Sequence, residues 1–245
     1  MSSVHPYLAV GQLNRRFSRR KRRGIVHYAP QRPTAPRHRL TLPPLHSFPM
    51  PHFPEAQFLI SSWQPRQFPA DEGREVAFVG RSNAGKSSAL NAIAGRRDLA
   101  RTSKTPGRTQ LINFFALKTG GRLVDLPGYG YAKVPAEMQR HWQKLMSSYV
   151  ADRQSLSGLV IVVDARRGLT DFDRQMLAWV QDSEVPARVL LTKSDKLNRS
   201  ESIQVLREVE SGADQIASAQ LFSAVTKSGV DDARGWILGQ LEGKS

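Results

Sequence analysis

The stretch Gly80-Arg81-Ser82-Asn83-Ala84-Gly85-Lys86-Ser87 decides the fold of this chain. It follows a short apolar run at residues 76–79 and precedes an alanine- and leucine-rich segment at residues 88–94. A strand, a glycine-rich loop and a helix, in that order, are the context in which the pattern G-x-x-x-x-G-K-[ST] forms a phosphate-binding loop. The competing interpretation is an ordinary glycine turn, which does not account for the flanking strand and helix.

The residues of this loop have distinct expected roles. Gly80 and Gly85 are expected to adopt backbone torsions that a side chain forbids, so that successive N–H groups turn toward a phosphate. The following helix directs its free N–H groups and its dipole at the same anion. Lys86 is expected to reach the β- and γ-phosphates, and the hydroxyl of Ser87 to ligate Mg²⁺. The loop predicts phosphate binding without deciding which nucleotide is bound.

The composition restricts the class of protein. The chain has 245 residues, enough for one domain with an appendage and a substantial core. It contains no cysteine, which excludes disulfides and thiolate metal sites. No apolar run approaches the roughly 20 residues that span a bilayer, so we expect no membrane partner. The formal net charge of +15 indicates an anionic partner.

Most of the positive charge lies in the first 49 residues. This segment carries ten Arg and Lys residues, seven Pro residues and no Asp or Glu. The remainder carries 26 basic and 21 acidic residues and is only mildly basic. Because such a segment cannot bury much apolar surface, residues 1–49 are predicted to be a basic, disordered extension.

Three origins of this extension compete. It is a basic arm that contacts RNA, an Arg-rich organelle-targeting peptide, or the product of a start codon placed upstream of the true one. We favour the third and expect translation to begin at Met50, where the composition becomes ordinary. An intact mass of the native protein that includes residues 1–49 would contradict it. Residues 50–73 are then an N-terminal lead that packs on the domain of residues 74–245 through Phe58, Leu59, Ile60 and Trp63.

A second motif, Asp125-Leu126-Pro127-Gly128, ends another predicted strand. A carboxylate there can hold Mg²⁺ directly or through water, and Gly128 can offer its N–H to a γ-phosphate. Alone the motif is a common turn, and its position one hairpin after the first loop favours the nucleotide site. The polar loop before this hairpin is predicted to be mobile and to sense the γ-phosphate. Its candidates for a second Mg²⁺ ligand are Thr102, Thr105 and Thr109.

Two further turns predict recognition of the base. In Thr192-Lys193-Ser194-Asp195, the Asp195 carboxylate can accept hydrogen bonds from the N1–H and 2-amino group of guanine, a donor pair that adenine lacks. Lys193 would lay its aliphatic stem over the base plane, and Thr192 stands where Asn is the more familiar residue. In Phe222-Ser223-Ala224, a small residue would let a backbone N–H meet the guanine O6. Each turn alone is an ordinary polar turn, so the interpretation depends on their order and spacing.

Predicted strands and helices alternate along the chain, apart from one hairpin at Gly120-Gly121. The strands are expected at residues 76–79, 112–117, 123–125, 159–163, 189–191 and 220–222, and the helices at residues 86–94, 136–151, 200–209 and 228–241. Another helix is expected after Thr170, which forms a capping-box pattern with Asp173 and precedes an apolar face of Phe172, Met176, Trp179 and Val180. Such alternation predicts an α/β three-layer fold.

The stretches GRSNAGKSS, SKTPGRTQLINFF, DLPGYGYAKV, TKSD and FSA, in this order, closely resemble the EngB (YihA/YsxC) group of bacterial GTPases. The similarity runs from about Phe53 to the C-terminus, and residues 1–49 have no counterpart in the usual pattern. It implies a Ras-like P-loop NTPase fold of the TrmE-Era-EngA-EngB-septin-like superfamily, with a mixed, mostly parallel six-stranded sheet and helices on both faces. It also implies binding of GTP, GDP and Mg²⁺, hydrolysis of GTP, a role in maturing the large ribosomal subunit, and a requirement for normal septation.

The resemblance also assigns site residues. Thr109 becomes the second Mg²⁺ ligand beside Ser87, and Lys86, Thr109 and Gly128 become the catalytic residues. Thr in place of Asn at position 192 is the habit of this group. The full set expected to bind the nucleotide is Gly80, Arg81, Ser82, Asn83, Ala84, Gly85, Lys86, Ser87, Gly107, Arg108, Thr109, Gln110, Leu111, Asp125, Leu126, Pro127, Gly128, Thr192, Lys193, Ser194, Asp195, Phe222, Ser223 and Ala224.

Two residues bear on the rate of hydrolysis. Tyr129 stands where Ras-like enzymes keep a water-orienting Gln, which predicts slow intrinsic hydrolysis that something else accelerates. Asn83 occupies the loop position through which relatives ligate K⁺, so K⁺ is a candidate cofactor. The competing interpretation is that Asn83 only tolerates a tight turn.

The expected partners are a guanine nucleotide and the large ribosomal subunit or its rRNA, with no DNA, for a monomer in the bacterial cytoplasm. One rival is a P-loop kinase of a small metabolite, which would prefer ATP. Another is a basic RNA-binding protein in which nucleotide binding is only regulatory, which loss of binding on deleting residues 1–49 would support. A third is a GTPase that acts directly on septation.

Overall fold

The structure, a computed structural model, describes residues 55–100, 111–130, 136–213 and 216–243. Within these residues the strands are β1 (Gln57–Ser62), β2 (Glu75–Gly80), β3 (Ile112–Ala116), β4 (Arg122–Asp125), β5 (Leu156–Asp164), β6 (Ala187–Thr192) and β7 (Ala217–Leu221). The α-helices are α1 (Lys86–Ala94), α2 (Ala136–Asp152), α3 (Asp171–Ser183), α4 (Arg199–Gly212) and α5 (Val230–Glu242). Two short 3₁₀ helices lie at Pro65–Gln67 and Ser194–Lys196.

The strands form one sheet in the order β1-β3-β4-β2-β5-β6-β7. Strands β4, β2, β5, β6 and β7 are parallel, whereas β3 runs antiparallel to both β4 and β1. The β3–β4 hairpin turns at Gly120 and Gly121, which both have positive φ. The carboxyl ends of the five parallel strands therefore meet at one edge of the sheet.

Helices cover both faces of the sheet, and alternate residues of each central strand supply two cores. On β2, Val76 and Phe78 face the core covered by α1 and α5, and Ala77 and Val79 face the core covered by α2, α3 and α4. Strand β5 reads as a continuous apolar run because it is buried on both faces. This confirms the predicted α/β three-layer fold.

The sheet has one more strand than the six predicted within the described residues. The additional strand is β1, which pairs antiparallel with β3 from Gln57 opposite Ala116 to Ser62 opposite Ile112. The sequence of this segment lacks the apolar/polar alternation of a half-buried strand, because β1 is an edge strand with a bulge between Phe58 and Ile60.

The N-terminal lead packs differently from the prediction. Phe58, Leu59 and Ile60 are exposed on the edge strand, at 60, 49 and 38%. The prediction that they are packing residues was wrong for Leu59 and Ile60, whereas the Phe58 ring packs edge-on against Phe115, with centroids 6.2 Å apart. Trp63 is partly buried and stacks on the ring of His141, with centroids 4.3 Å apart.

The ends of the helices follow the expected capping chemistry. Helix α1 ends at Gly95, whose φ of 67° allows the left-handed C-cap, and Thr170 and Asp173 form the capping box of α3. The buried side of α3 comprises Asp173, Met176, Leu177 and Val180. Phe172 is 41% exposed, so its predicted place on the buried face was wrong.

A buried carboxylate joins the N-terminal lead to the sheet and to α2. Glu75, at the start of β2, is fully buried and accepts hydrogen bonds from Arg122, Tyr149 and Arg153. Arg153 also donates to the carbonyl of Pro69 at 3.1 Å. Burial alone would raise the pKa of Glu75, but the hydrogen bonds from Arg153 and Tyr149 outweigh it and lower this pKa.

Among the described residues, none of the helices has the length and apolar character needed to cross a bilayer.

Candidate nucleotide site

The site lies at the sheet edge where the parallel strands end. The loop after β2 lies beside the turns that follow β4 and β6, and the turn after β6 meets the turn after β7. Polar groups at the carboxyl ends of parallel strands converge on a crevice in folds of this kind. The four motifs identified in the sequence therefore occupy one continuous region.

The phosphate loop leads directly from β2 into α1. Gly85 is the residue before α1 and has a φ of 100°, which only glycine adopts without strain, as the pattern predicts. Asn83 also has a positive φ, of 64°. The N–H of Ala84 donates to the carbonyl of Arg81 at 3.0 Å, which closes the loop on itself.

Gly80 is needed for a different reason from the one predicted. Its φ is not positive, so the expectation of an unusual torsion at Gly80 was wrong. A Cβ at this position would lie 2.4 Å from the carbonyl oxygen of Val162 on β5. Glycine is required here because the loop leaves the sheet in close contact with the neighbouring strand.

Lys86 and Asp125 form an ion pair between the phosphate loop and the end of β4. Their side chains are only 10 and 4% exposed. Ser87 follows Lys86 as the second residue of α1. The ion pair therefore brings the phosphate loop and the Asp125-Leu126-Pro127-Gly128 motif together.

The segment after β4 is hydrogen-bonded along the phosphate loop. The N–H of Ser82 donates to the carbonyl of Tyr129 at 2.8 Å, and the N–H of Tyr129 donates to the carbonyl of Gly80 at 3.3 Å. Gly128 directly precedes Tyr129, and a Cβ there would be 3.5–3.6 Å from Gly80 and Ser82. That separation is an ordinary van der Waals contact, so packing does not explain the glycine.

The side chain of Tyr129 is buried at 5% exposure. Its hydroxyl donates to Asp173, the capping residue in the first turn of α3. Burial, followed by the charge of Asp173, raises the pKa of Tyr129 well above its ordinary value. The Tyr129 hydroxyl is therefore a neutral donor to Asp173 in α3.

The Thr192-Lys193-Ser194-Asp195 turn also contacts the phosphate loop. The hydroxyl of Thr192 lies within hydrogen-bond distance of the carbonyls of Ala84 and Val163. The Nζ of Lys193 donates to the carbonyl of Asn83 at 2.6 Å. This turn is thereby fixed to the loop that holds the phosphates.

Asp195 is held by the Phe222-Ser223-Ala224 turn. The hydroxyl of Ser223 donates to Oδ1 of Asp195 at 2.7 Å and accepts from the N–H groups of Val225 and Thr226. The hydrogen bond from Ser223 is the main cause of the lowered pKa of Asp195. The carboxylate therefore stays ionised and acts as an acceptor at neutral pH.

Sequence reasoning missed Asp164 and Arg166 and assigned no role to the Ser223 hydroxyl. Asp164 ends β5, is 6% exposed, and accepts hydrogen bonds from Arg166 and from Lys193. The available signal was its position, since a charged residue that ends a buried parallel strand lies at the crevice edge. The contact between Ser223 and Asp195 joins residues 28 apart in sequence and had no local signal.

The remaining predicted residues fall partly outside the described part of the chain. The residues outside it are Gly107, Arg108, Thr109 and Gln110, together with Thr102 and Thr105. Leu111 is described and directly precedes β3. The assignments to residues 107–110 therefore stay predictions.

Comparison with known proteins gives one consistent result. The profile of the family described as 50S ribosome-binding GTPase matches residues 75–193. The chain is 52% identical over 190 residues to the probable GTP-binding protein EngB of Stenotrophomonas maltophilia (strain K279a), which covers 76% of this chain and 95% of that protein. It is 52% identical over 198 residues to the probable GTP-binding protein EngB of Azoarcus sp. (strain BH72), covering 77 and 94% of the two chains.

A solved structure agrees with the sequence relatives. The crystal structure of a probable GTP-binding protein engB matches with a TM-score of 0.56 and 25% identity, and the match covers 69% of this chain and 99% of that chain. The fold and the site define a P-loop GTPase. The relatives identify the group more closely, and the chain belongs to the EngB family of GTP-binding proteins.

Proposed function

We propose that this GTPase is a conformational switch that acts in assembly of the large ribosomal subunit and is needed for normal septation. The observation that carries the proposal is the set of contacts joining the phosphate loop to the turns after β4 and β6. Through these contacts, a change at the γ-phosphate reaches Asp125–Tyr129 and the base-reading turn together. The match to a ribosome-binding family over residues 75–193 supports the large subunit as the partner.

The residues present fit a magnesium ion at the phosphates. Mg²⁺ prefers hard oxygen ligands; Ser87 directly follows Lys86 in α1, and the Asp125 carboxylate forms an ion pair with Lys86. Ser87 and Thr109 would be its protein ligands, with Asp125 acting directly or through water. When bound, the ion neutralises charge that develops on the phosphate oxygens.

The chain's own groups would perform the rest of the reaction. Lys86 exchanges its partner Asp125 for the β- and γ-phosphates, and the N–H of Gly128 donates to the γ-phosphate. The Asp195 carboxylate selects guanine, and the Ser223 hydroxyl orients that carboxylate. Hydrolysis then removes the γ-phosphate that orders the polar loop and Gly128, and the ribosomal particle is released.

The central test is sedimentation with ribosomal subunits. We expect the protein to pellet with the large subunit in a non-hydrolysable GTP analogue and to stay in the supernatant with GDP. The Asp195→Asn variant should lose binding in the GTP analogue and regain it in the corresponding xanthosine analogue, because the new amide donates to the 2-oxo group of xanthine.

The same experiment separates the competing functions. Equal pelleting with GDP and with the GTP analogue would contradict a switch. Absence of pelleting in both would favour a direct septation GTPase. Loss of pelleting on deletion of residues 1–49, with the site intact, would favour an RNA-binding protein in which the basic extension is the active part.

We further propose that intrinsic hydrolysis is slow and that K⁺ or a partner accelerates it. The buried Tyr129 hydroxyl supports slow hydrolysis, because it is engaged by Asp173 and offers nothing to the attacking water. Asn83 is exposed, with its carbonyl fixed by Lys193, which suits a side chain that ligates a cation at the phosphates. Hydrolysis should be faster in K⁺ than in Na⁺, and Asn83→Ala should remove the difference. Equal rates in the two salts, with and without ribosomal particles, would contradict the K⁺ role.

A further inference from the structure

The ammonium of Lys193 is held by a buried carboxylate as well as by the phosphate loop. Its Nζ donates to the carbonyl of Asn83 at 2.6 Å and to Oδ2 of Asp164 at 2.9 Å. Asp164 ends β5 opposite Thr192 on β6, and Lys193 follows with a positive φ of 58°. These two hydrogen bonds fix the charged end of the side chain, and its Cε lies beside Gly85 of the phosphate loop.

Asp164 is itself oriented by Arg166. The guanidinium donates to Oδ1 at 2.9 Å and to Oδ2 at 2.7 Å, and the N–H of Arg166 donates to Oδ1 at 3.2 Å. Burial alone would raise the pKa of Asp164, but the hydrogen bonds from Arg166 and Lys193 outweigh it and lower this pKa strongly. The carboxylate is therefore charged in the folded protein and has both oxygens occupied.

Arg166 also interacts electrostatically with the Asp195 carboxylate. The hydrogen bond to Asp164 and the charge of that carboxylate raise the pKa of Arg166, and the charge of Asp195 adds to them. Asp164 lies opposite Thr192 and bonds Lys193, so Asp164, Arg166 and Lys193 lie beside the turn that carries Asp195. The two carboxylates have separate partners, Ser223 for Asp195 and Arg166 with Lys193 for Asp164.

We propose that Asp164, held by Arg166, is a positioning residue that fixes the Lys193 stem over the purine ring before the nucleotide binds. The inference rests on the proposed function, because it takes Lys193 and Asp195 as the base-reading pair. A lysine stem loses much rotamer freedom when it is ordered. Since Asp164 orders the stem in the protein alone, less entropy is lost when the base binds.

The chemistry separates this contribution from that of Asp195. A lysine stem packs on any purine face, whereas Asp195 reads the N1–H and 2-amino groups. Inosine diphosphate lacks the 2-amino group, so it reports the Asp195 contribution when compared with GDP. Weaker stacking should lower the affinity for both nucleotides equally, and loss of the Asp195 contact should reduce the preference for GDP.

The first test measures the affinity for GDP and for inosine diphosphate by calorimetry. Asp164→Asn is isosteric and should weaken both by roughly tenfold, with an unchanged ratio between them. Arg166→Ala removes a half-exposed side chain and should weaken both in the same direction. Arg167→Ala is the matched control, since it removes the adjacent exposed charge and should leave both affinities unchanged.

The second test is a double-mutant cycle with Lys193→Met. If Asp164 acts through Lys193, Asp164→Asn should have no further effect on affinity in the Lys193→Met background. The rate of GTP hydrolysis at saturating nucleotide should be unchanged in Asp164→Asn while KM rises. Equal effects of Asp164→Asn with and without Lys193 would assign a merely structural role and overturn the inference.

The remaining outcomes distinguish the inference from the function on which it rests. If the wild type prefers guanine to adenine nucleotides and Asp164→Asn binds GDP within about twofold of it, the inference fails and the function stands. If the wild type has no guanine preference, the base-reading role of Asp195 fails and the positioning role fails with it. Thermal unfolding of each variant identifies misfolding. If Asp164→Asn is misfolded, the nucleotide affinities of Arg166→Ala test the positioning role of Asp164 instead.

Discussion

At the scale of single residues, Gly80 and Gly128 lack a side chain for different physical reasons. A Cβ at Gly80 would lie 2.4 Å from the carbonyl oxygen of Val162, so the backbone would have to move. A Cβ at Gly128 would meet only ordinary van der Waals contacts. The first glycine therefore serves the packing of the sheet, and the second is free to serve the ligand.

These contacts predict that substitution by alanine affects stability at Gly80 and nucleotide affinity at Gly128. Gly80→Ala should lower the free energy of unfolding by about 2 kcal/mol, because the clash is with backbone and cannot be relieved by a side-chain rotation. Gly128→Ala should unfold like the wild type and lose roughly tenfold in affinity for a non-hydrolysable GTP analogue, with little change for GDP. Urea unfolding and calorimetric titration measure the two effects. A destabilised Gly128→Ala with normal GTP-analogue affinity would contradict the assignment.

At the scale of elements, the turn after β4 is linked to the first turn of α3 through Tyr129 and Asp173. Asp173 also accepts from the N–H and hydroxyl of Thr170, at 2.8 and 2.6 Å. The carboxylate therefore caps α3 and holds Tyr129 at once. The Phe172 ring packs beside the Tyr129 ring, with centroids 5.8 Å apart.

Removing the Tyr129 hydroxyl tests whether it acts in folding or in hydrolysis. Tyr129→Phe should lower the free energy of unfolding by about 1–2 kcal/mol, because a buried hydrogen bond to a charged group is lost. The rate of GTP hydrolysis should stay within about twofold of the wild type, since this hydroxyl faces α3. A tenfold loss of hydrolysis at unchanged stability would place the hydroxyl at the nucleotide instead.

The elements that the sequence pattern predicted well are those with local signals. Helix α1 and its Gly95 cap, the capping box of α3 and the buried run in β5 all follow from residues within one element. Strand β1 was missed because an edge strand is stabilised by its partner β3 and needs no buried face of its own. The apolar residues 58–60 then suggested packing, but Leu59 and Ile60 are exposed on the edge strand and only Phe58 has a ring contact, with Phe115.

The same distinction applies to the site. The phosphate loop and Asp125-Leu126-Pro127-Gly128 are contiguous motifs whose chemistry is readable residue by residue. The hydrogen bonds from Ser223 to Asp195 and from Lys193 to Asp164 join separate strands, and each contact forms only when the sheet assembles. Such positioning contacts depend on strand order, which the linear pattern does not specify.

At the scale of the whole molecule, the Glu75 cluster lies at the start of β2, at the opposite end of that strand from the phosphate loop. Two arginines and a tyrosine converge on one fully buried carboxylate. Removing the charge of a buried ion pair leaves its partners uncompensated. Stability should therefore depend on this carboxylate although it is remote from the chemistry.

This cluster makes stability depend on pH in a definite direction. The folded-state pKa of Glu75 is lowered from its usual 4.5, so its contribution is present at neutral pH and is lost as the pH falls below about 4.5. Glu75→Gln should cost about 3 kcal/mol at pH 7 and progressively less toward pH 3, as measured by urea unfolding. The control is Glu72→Gln, an exposed side chain three residues earlier, which should change little. A cost independent of pH would contradict the charged state of Glu75.

Strand β1 has a practical consequence for anyone who expresses this protein. A truncated version starting at residue 74 would retain every nucleotide motif and still strip β3 of its outer neighbour. Phe114 would lose the ring of Phe68, 5.4 Å away, and Phe115 would lose that of Phe58, 6.2 Å away. Strand β3 would become an exposed edge strand, which promotes self-association. Recombinant versions should accordingly begin before Glu55, so that they retain β1 and the residues on either side of it.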